Sequence, residues 1–151
     1  MRTDVRTDNA EEFVVMLFNT LQPKTFEDVV KVTGIMRGTN TWLENGEILW
    51  ADGKADIKTL IGCVEDVYEM MLQNGVDEES AKEIADSVRI GKMQRGTMRT
   101  DLVETMKNSK VPDWYIWSCE KIKYLFSREY IEEYIKNEPR IMEYEEALVD
   151  C

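Results

Sequence analysis

The side chains in this sequence that could bind a ligand are mostly cations. The segment from Arg89 to Lys110 holds six basic residues and two acidic ones, in a chain whose formal net charge is −11. A further arginine, Arg37, opens the short segment Arg37-Gly38-Thr39-Asn40. Cationic side chains contact phosphate oxygens, and arginine also reads base edges. Both segments are therefore candidates for nucleic-acid contact. The alternatives are a solvated surface for the first segment and an ion pair with a local carboxylate for Arg37.

Further candidates follow in the second half of the chain. Trp114 and Trp117 could stack on bases, but their helical spacing places Trp114 in the core and leaves Trp117 partly exposed. Lys121 and Lys123 come directly after them. The predicted DNA- or nucleotide-binding set consists of Arg37, Gly38, Thr39, Asn40, Arg89, Lys92, Lys121, Lys123 and Arg128.

The sequence contains no histidine and three cysteines, Cys63, Cys119 and Cys151. The lack of histidine excludes Ser-His-Asp and Cys-His pairs, histidine-ligated zinc and histidine acid–base chemistry. The cysteines are too far apart for a CxxC motif, so we expect reduced thiols, two of them buried and one at the C-terminus. Neighbouring carboxylates such as Glu65 and Asp66 point in different directions on a helix and do not share a site. The sequence predicts no catalytic residue, no metal site and no cofactor.

Length and composition indicate one globular domain, residues 1–151. The chain has 43% hydrophobic residues and is long enough to bury a core without disulfides. No apolar run approaches the ~20 residues that span a bilayer, and the first residues do not resemble a signal peptide. We therefore expect a cytoplasmic protein without membrane contact.

The hydrophobic spacing predicts an all-α fold, a compact bundle of about seven to nine short helices. The predicted N-terminal caps are Asp8, Thr25, Asp56, Asp77 and Ser127, and Pro112 leads a further helix. The predicted ends are Leu21, Gly34, Gly75 and Gly91.

Two helical faces follow from the i, i+3, i+4 spacing of apolar residues. The longer face runs from Ile57 to Leu72, and the shorter one runs from Tyr115 through Cys119 and Ile122 to Phe126. An irregular helical stretch is expected from Trp42 to Trp50. Residues 128–151, with eight acidic and three basic residues, are predicted as an acidic helical tail that breaks at Glu138-Pro139.

Three stretches carry a resemblance to a known family. They are Lys24-Thr-Phe-Glu-Asp-Val-Val-Lys-Val-Thr-Gly34 leading into Arg37-Gly-Thr-Asn-Thr-Trp-Leu43, then Ile61-Gly-Cys-Val-Glu-Asp66, and then Val111-Pro-Asp-Trp-Tyr-Ile-Trp-Ser-Cys-Glu-Lys-Ile-Lys-Tyr-Leu-Phe126. In order and spacing they resemble the PolC-type DNA polymerase III alpha subunit, the replicative polymerase of low-GC Gram-positive bacteria. The resemblance covers about residues 12–127.

The resemblance implies the helical fingers of the polymerase, which close over the incoming nucleotide and the templating base. The palm, whose aspartates bind two Mg²⁺ ions, lies earlier in such polymerases. This chain has no Asp-x-Asp pair and nothing that resembles the palm, the exonuclease or the PHP module. The resemblance therefore implies a fingers-like domain that does not polymerise DNA on its own.

The sequence also departs from the family. The family's His-Gly-Thr-Asp is replaced by Arg37-Gly38-Thr39-Asn40, and its Pro-Lys-Ala-His-Ala-Ala-Ala-Tyr by Ser127-Arg-Glu-Tyr-Ile-Glu-Glu-Tyr134. The second change introduces carboxylates, which oppose phosphate binding. The Glu-rich tail is typical of a helix that faces water and indicates a stand-alone paralogue. On this interpretation Ile131, Ile135 and Ile141 do not form a large exposed patch.

Three functions remain open at this point. The first is a non-catalytic, fingers-like module that contacts primer–template DNA or nucleotide. The second is a protein-interaction or decoy module that acts on a replisome component, which the net charge of −11 favours because it repels nucleic acid at long range. The third, an autonomous enzyme, requires converging carboxylates and a bound metal. Exposure of the candidate cations on one face would favour the first function.

Overall fold

The computed structural model describes the backbone of residues 2–150 and the side chains of residues 11–147. The described chain forms α1 (Arg2–Leu21), α2 (Phe26–Arg37), α3 (Glu47–Ala51), α4 (Val64–Gln73), α5 (Glu78–Arg89), α6 (Thr100–Asn108), α7 (Asp113–Lys121), α8 (Arg128–Lys136) and α9 (Pro139–Asp150). An irregular turn over Trp42–Gly46 precedes α3. Over residues 2–150 the β-type pairing is limited to one isolated bridge, between Thr39 and Tyr124. The predicted all-α bundle of seven to nine helices is confirmed. No helix in the described part is both long and apolar enough to cross a membrane.

Local capping chemistry sets several helix ends as predicted. The hydroxyl of Thr25 accepts a hydrogen bond from the Asp28 amide at 3.1 Å, and the Asp77 carboxylate accepts one from the Ser80 amide at 3.0 Å. Ser127 caps α8 in the same way. After α4, Gly75 has φ +84°, the left-handed conformation that glycine adopts without strain.

The predicted helix ends at Asp8 and Gly34 were wrong, because both residues lie inside longer helices. The backbone of α1 begins at Arg2 and runs through the expected cap Asp8. Helix α2 continues past Gly34 to Arg37. The reason for a glycine at position 34 is close packing, because a Cβ there would clash with the carbonyl oxygen of Gly62 and lie 2.9 Å from Cδ1 of Ile131.

The predicted helix from Ile57 to Leu72 forms only in its second half, since α4 begins at Val64. The predicted cap Asp56 was therefore wrong: it precedes a turn, and Cys63 is the N-cap of α4. Before it, the Asp66 carboxylate accepts hydrogen bonds from the amides of Gly62 and Cys63 at 2.8 and 3.1 Å. A Cβ on Gly62 would lie 2.8 Å from the carbonyl oxygen of Lys31, so the chain passes directly against α2. Long-range packing against α2 therefore overrides the local helical pattern.

The predicted helical face from Tyr115 to Phe126 was also too long. Helix α7 ends at Lys121, and Ile122 adopts an extended conformation with φ −70° and ψ 129°. Phe126 is therefore not on the helix that carries Tyr115 and Cys119. Helix α6 forms within the basic segment, where no helix was predicted.

Two buried clusters form the core of the described residues. One joins α4–α7 and includes Met71, Tyr115 and Cys119; the other joins α1–α3, α8 and α9. Half-buried Trp114 packs against both, so it is less enclosed than predicted. The single-domain assignment stays a prediction.

The acidic tail folds with its apolar residues inside. Ile131, Ile135 and Ile141 are buried in the second cluster, and no exposed patch forms from them. Cys63 and Cys119 are buried as predicted, and burial raises the pKa of both thiols. Cys151 lies outside the described residues.

Candidate nucleic-acid interface

The segment 122–127, here called the connector, links α7 to α8 and fastens the end of α2. The amide of Lys123 donates to the carbonyl oxygen of Thr39 at 3.0 Å, and the Thr39 amide donates to the carbonyl oxygen of Tyr124 at 2.9 Å. Gly38 is needed here because a Cβ would lie 2.6 Å from Cγ2 of Thr41. The predicted segment Arg37–Asn40 therefore lies directly beside Lys123.

The connector also fastens the end of α5. The Leu125 amide donates to the carbonyl oxygen of Arg89 at 3.0 Å. A Cβ on Gly91, whose φ is +76°, would lie 2.7 Å from the carbonyl oxygen of Lys123. These contacts bring Arg89 and the following residues, including Lys92, to the same segment as Lys123. Cations that are far apart in the sequence thus become neighbours.

Lys92 and Lys123 are exposed, and neither forms an ion pair with the residues whose side chains are described. Arg89 forms a long ion pair, in which its Nε lies 3.9 Å from a carboxylate oxygen of Asp86, too far for a hydrogen bond. Its side chain stays 36% exposed. The positive charge of Lys92 and Lys123 is therefore available at the surface, whereas Asp86 offsets part of the charge of Arg89.

Arg37 is held by aromatic rings. Its guanidinium carbon lies 4.6 Å from the ring centre of Tyr134 and 5.5 Å from that of Phe126, and Nη2 donates to the Tyr130 hydroxyl at 3.0 Å. Its buried Nε has no hydrogen-bond partner among the described residues. Burial raises the pKa of Tyr134, which the nearby Arg37 charge partly offsets. Among the described residues no carboxylate pairs with Arg37, so the ion pair considered from the sequence does not form, and the phosphate contact stays a prediction.

An aromatic ladder, Tyr124–Phe126–Tyr130, runs along the connector into α8. Tyr124 meets Phe126 edge-on at 5.0 Å, and Phe126 stacks on Tyr130 at 4.3 Å with 15° between the rings. Tyr124 and Tyr130 remain 37% and 40% exposed. This ladder was not predicted from the sequence. The available signal was the alternation of Tyr124 and Phe126, which places both rings on one side of an extended chain.

A buried amide holds the loop that carries Asn40. Asn45 Nδ2 donates to the carbonyl oxygens of Asn40 and Ser118 at 2.8 and 3.1 Å, and the Ser118 hydroxyl donates to Asn45 Oδ1 at 2.5 Å. Asn40 itself has φ +60°, a left-handed conformation that asparagine tolerates better than most residues. Asn45 therefore positions the candidate loop against α7.

Arg128 lies outside this cluster of available cations. Its Nη2 pairs with Glu27 of α2 and its Nε with Glu132 at 3.0 Å, while its backbone amide donates to Glu65. The hydrogen bonds with Glu27 and Glu132 raise the pKa of the guanidinium. The structure thus uses the predicted binding residue Arg128 as a link between α8 and α2.

Other predicted cations are also partly engaged. Lys121 places its Nζ 5.2 Å from the ring centre of half-buried Trp117. Arg99 pairs with Glu83 and Asp101 at 2.5 and 2.6 Å, and Arg95 donates to a backbone carbonyl. The ion pairs of Arg99 therefore offset part of the positive charge of the segment 89–110. Within residues 11–147 no group of three or more Cys, Asp or Glu side chains is arranged to hold a metal ion.

Comparison with known proteins places this geometry in context. No protein-family model matches the chain. Over 129 residues, 85% of its length, the chain is 36% identical to proteins of two Staphylococcus aureus strains, MW2 and USA300. The aligned region spans 9% of those relatives. The chain is thus related to a segment of a much longer DNA polymerase. That polymerase is the PolC-type DNA polymerase III, which confirms the resemblance seen in the three sequence stretches.

Proposed function

We propose that this chain is a non-catalytic, fingers-like module of the PolC type that contacts primer–template DNA through the surface around the connector. One observation carries the proposal: backbone hydrogen bonds join the connector, which carries Lys123, to the chain just after Arg37 and to Arg89, which Lys92 closely follows. Among the described residues Arg37, Lys92 and Lys123 have no carboxylate partner, and cations of this kind in a chain of net charge −11 are the feature that a polyanion would recognise.

The charge distribution sets the strength of this contact. The exterior of α8 and α9 carries exposed carboxylates, among them Glu129, Glu133, Glu143 and Glu146. They repel DNA at long range, so the binding is weak and depends strongly on salt. The same carboxylates, with the isoleucines of the tail turned inward, support a module whose α8–α9 face meets water instead of packing on another domain.

The non-catalytic part of the proposal rests on the sequence. Phosphoryl transfer by two metal ions requires clustered carboxylates, and the chain has no Asp-x-Asp pair. Its similarity to the polymerase extends over 9% of that protein. The module would therefore contact DNA or nucleotide, and another protein would catalyse the phosphoryl transfer.

Fluorescence anisotropy with a labelled primer–template tests the proposal, at about 50 and 150 mM salt, where phosphate contacts differ strongly in strength. We expect weak binding that falls steeply with salt and is lost in the double variant Lys92→Glu, Lys123→Glu. The matched control is Lys54→Glu, Lys58→Glu, which changes the net charge equally at two exposed lysines elsewhere. No binding of the unaltered chain at low salt, or equal loss in both variants, would contradict the proposal.

The alternative is a protein-interaction or decoy module that acts on a replisome component. Exposed apolar side chains in an acidic setting favour it: Leu43 and Ile48 are 60% and 41% exposed, beside Glu44 and Glu47. Surface plasmon resonance against purified replicase subunits tests it. Binding that is lost in Leu43→Ser, together with an absence of DNA binding, would favour this alternative over the first proposal.

A further inference from the structure

We infer that a groove between α4 and α5 is a docking site for a basic amphipathic helix of a protein partner. This groove, here called the acidic groove, has a volume of about 530 Å³. It is lined by Val64, Glu65 and Tyr68 of α4 and by Glu78, Glu79, Lys82, Ala85 and Asp86 of α5. None of the candidate DNA-binding residues lines it, so the inference goes beyond the proposed function and does not depend on DNA binding.

The floor of the acidic groove is apolar. Val64 and Tyr68 lie one helical turn apart on α4 and are half-buried, and Leu72, one turn further, is 38% exposed. Val64 and Tyr68 pack against the first buried cluster, which holds them in place. Ala85 is a small side chain and leaves room above it. Apolar residues that repeat once per turn match the apolar face of another helix.

The rim of the acidic groove selects the charge of the partner. Among the described residues the lining carries four carboxylates, Glu65, Glu78, Glu79 and Asp86, against the single cation Lys82. The first three carboxylates form no ion pair with the residues whose side chains are described, and the ion pair of Asp86 is 3.9 Å long. Carboxylates around an apolar floor are complementary to a helix that carries lysine or arginine beside its apolar residues.

The stability of α5 accounts for only part of this charge. Glu78 and Glu79 are in the first turn of α5, where carboxylates also interact favourably with the helix dipole. Asp86 lies within one turn of the other end, where a carboxylate opposes the same dipole. The helix itself therefore does not explain the charge of Asp86, which extends the acidic rim along α5.

Fluorescence anisotropy with two labelled model peptides tests the inference. The probe is a helix-forming peptide of leucine and lysine, about 14 residues or four turns long, with leucine on one face. The control peptide has the same residues in an order that forms no apolar face. Both peptides have the same charge and are attracted equally by the net charge of −11. We expect the amphipathic peptide to bind at least about ten-fold more tightly, because it alone presents apolar side chains to the floor. Equal binding of the two peptides, or no binding of the amphipathic one at low salt, would overturn the inference.

Charge variants locate the binding. Glu78→Gln, Glu79→Gln should weaken binding of the amphipathic peptide about five-fold, the effect of two exposed ion pairs, and Lys82→Gln should tighten it about two-fold by removing a like charge. The matched control is Glu129→Gln, Glu143→Gln, at two exposed carboxylates of α8 and α9, which should change the affinity by less than about two-fold. Equal weakening in both double variants would indicate attraction to the acidic surface as a whole and would refute the site.

The apolar floor is tested at Tyr68. Tyr68→Ser should weaken binding of the amphipathic peptide about ten-fold or more, because an aromatic contact is lost. Tyr68→Phe keeps the ring but loses the 3.3 Å hydrogen bond to Glu78, and it should bind the peptide as the unaltered chain does. Thermal unfolding shows that each variant is folded. Unchanged affinity in Tyr68→Ser would exclude the floor from the contact.

A second readout uses the unaltered chain. One leucine of the amphipathic peptide is replaced by photoreactive benzoylphenylalanine, and the crosslinked residues are mapped by mass spectrometry. We expect crosslinks within residues 64–72 or 78–86, the two sides of the acidic groove. Crosslinks found only in other parts of the chain, such as the exposed Leu43 and Ile48, would place the binding elsewhere and overturn the inference.

Discussion

The two ends of α2 each hold an arginine, and they do so in opposite ways. At the N-terminal end, Arg128 reaches across from α8 and pairs with the carboxylates of Glu27 and Glu132. At the C-terminal end, Arg37 lies against the rings of Tyr134 and Phe126. Both side chains are guanidinium cations. The charge of Arg128 is compensated by two carboxylates, whereas the charge of Arg37 has no carboxylate partner among the described residues.

This difference identifies which end of α2 suits a polyanion. A carboxylate removes the net positive charge that phosphate would recognise, whereas an aromatic ring attracts a cation without neutralising it. The C-terminal end also receives the connector, with Lys123 and the exposed aromatic rings. Whether a cation is available therefore depends on the nearest partner, which the residue type alone does not reveal.

The comparison requires that α2 is firmly anchored, and a substitution of Gly34, in the C-terminal half of the helix, tests this. In Gly34→Ala the new Cβ would clash with the carbonyl oxygen of Gly62. We expect a loss of about 3 kcal/mol in the free energy of unfolding, from overpacking against rigid backbone. Urea denaturation measures it. The control Gly96→Ala, at φ +71° in open space, should lose only about 1–2 kcal/mol. Equal losses would show that α2 is not anchored here.

Asn45 secures the C-terminal end alone. Asn45→Ala removes the hydrogen bonds to Asn40 and Ser118 and leaves buried polar groups unpaired. We expect a loss of about 2–3 kcal/mol in the free energy of unfolding. Chemical denaturation measures the loss, and Asn137→Ala, at an exposed site directly after α8, should cost less than about 0.5 kcal/mol. An unchanged stability of Asn45→Ala would show that the buried network does not hold the loop.

The sequence predicted those features that depend on near neighbours. Thr25, Asp77 and Ser127 cap helices because each interacts with an amide three residues away. The glycine at position 75 follows the same local logic. Such signals are complete within one helical turn, so they need no knowledge of the fold.

Features that depend on distant contacts could not be predicted in this way. Residues 57–63 have the apolar spacing of a helix but are not helical, because Gly62 packs on the backbone of Lys31. The candidate cations were identified by type, but their grouping depends on hydrogen bonds between the connector and two remote helix ends. The pairing of Arg128 with Glu27 likewise joins residues that are far apart in the sequence.

Arg37→Met removes the cation from the aromatic setting and keeps an apolar chain of similar length. We expect stability to fall by about 1 kcal/mol, with little dependence on salt, because rings screen the contact from solvent. The affinity for primer–template should fall as well, since a local positive charge is lost. Urea denaturation at low and high salt, combined with anisotropy, measures both effects. Unchanged DNA affinity would remove Arg37 from the proposed interface.

Arg128→Met is the corresponding change at the other end of α2, and its expected effect is the smallest. Both ion pairs are partly exposed, with the Arg128 side chain 36% accessible, so solvent screening limits their contribution to about 0.5–1 kcal/mol at low salt. The loss should shrink as salt is raised, in contrast to Arg37→Met, because exposed ion pairs are screened. DNA affinity should change by less than about two-fold at physiological salt, since the guanidinium was already neutralised. If Arg128→Met weakened DNA binding as much as Arg37→Met, the nearest partner would not decide whether an arginine is available, and the N-terminal end of α2 would belong to the interface.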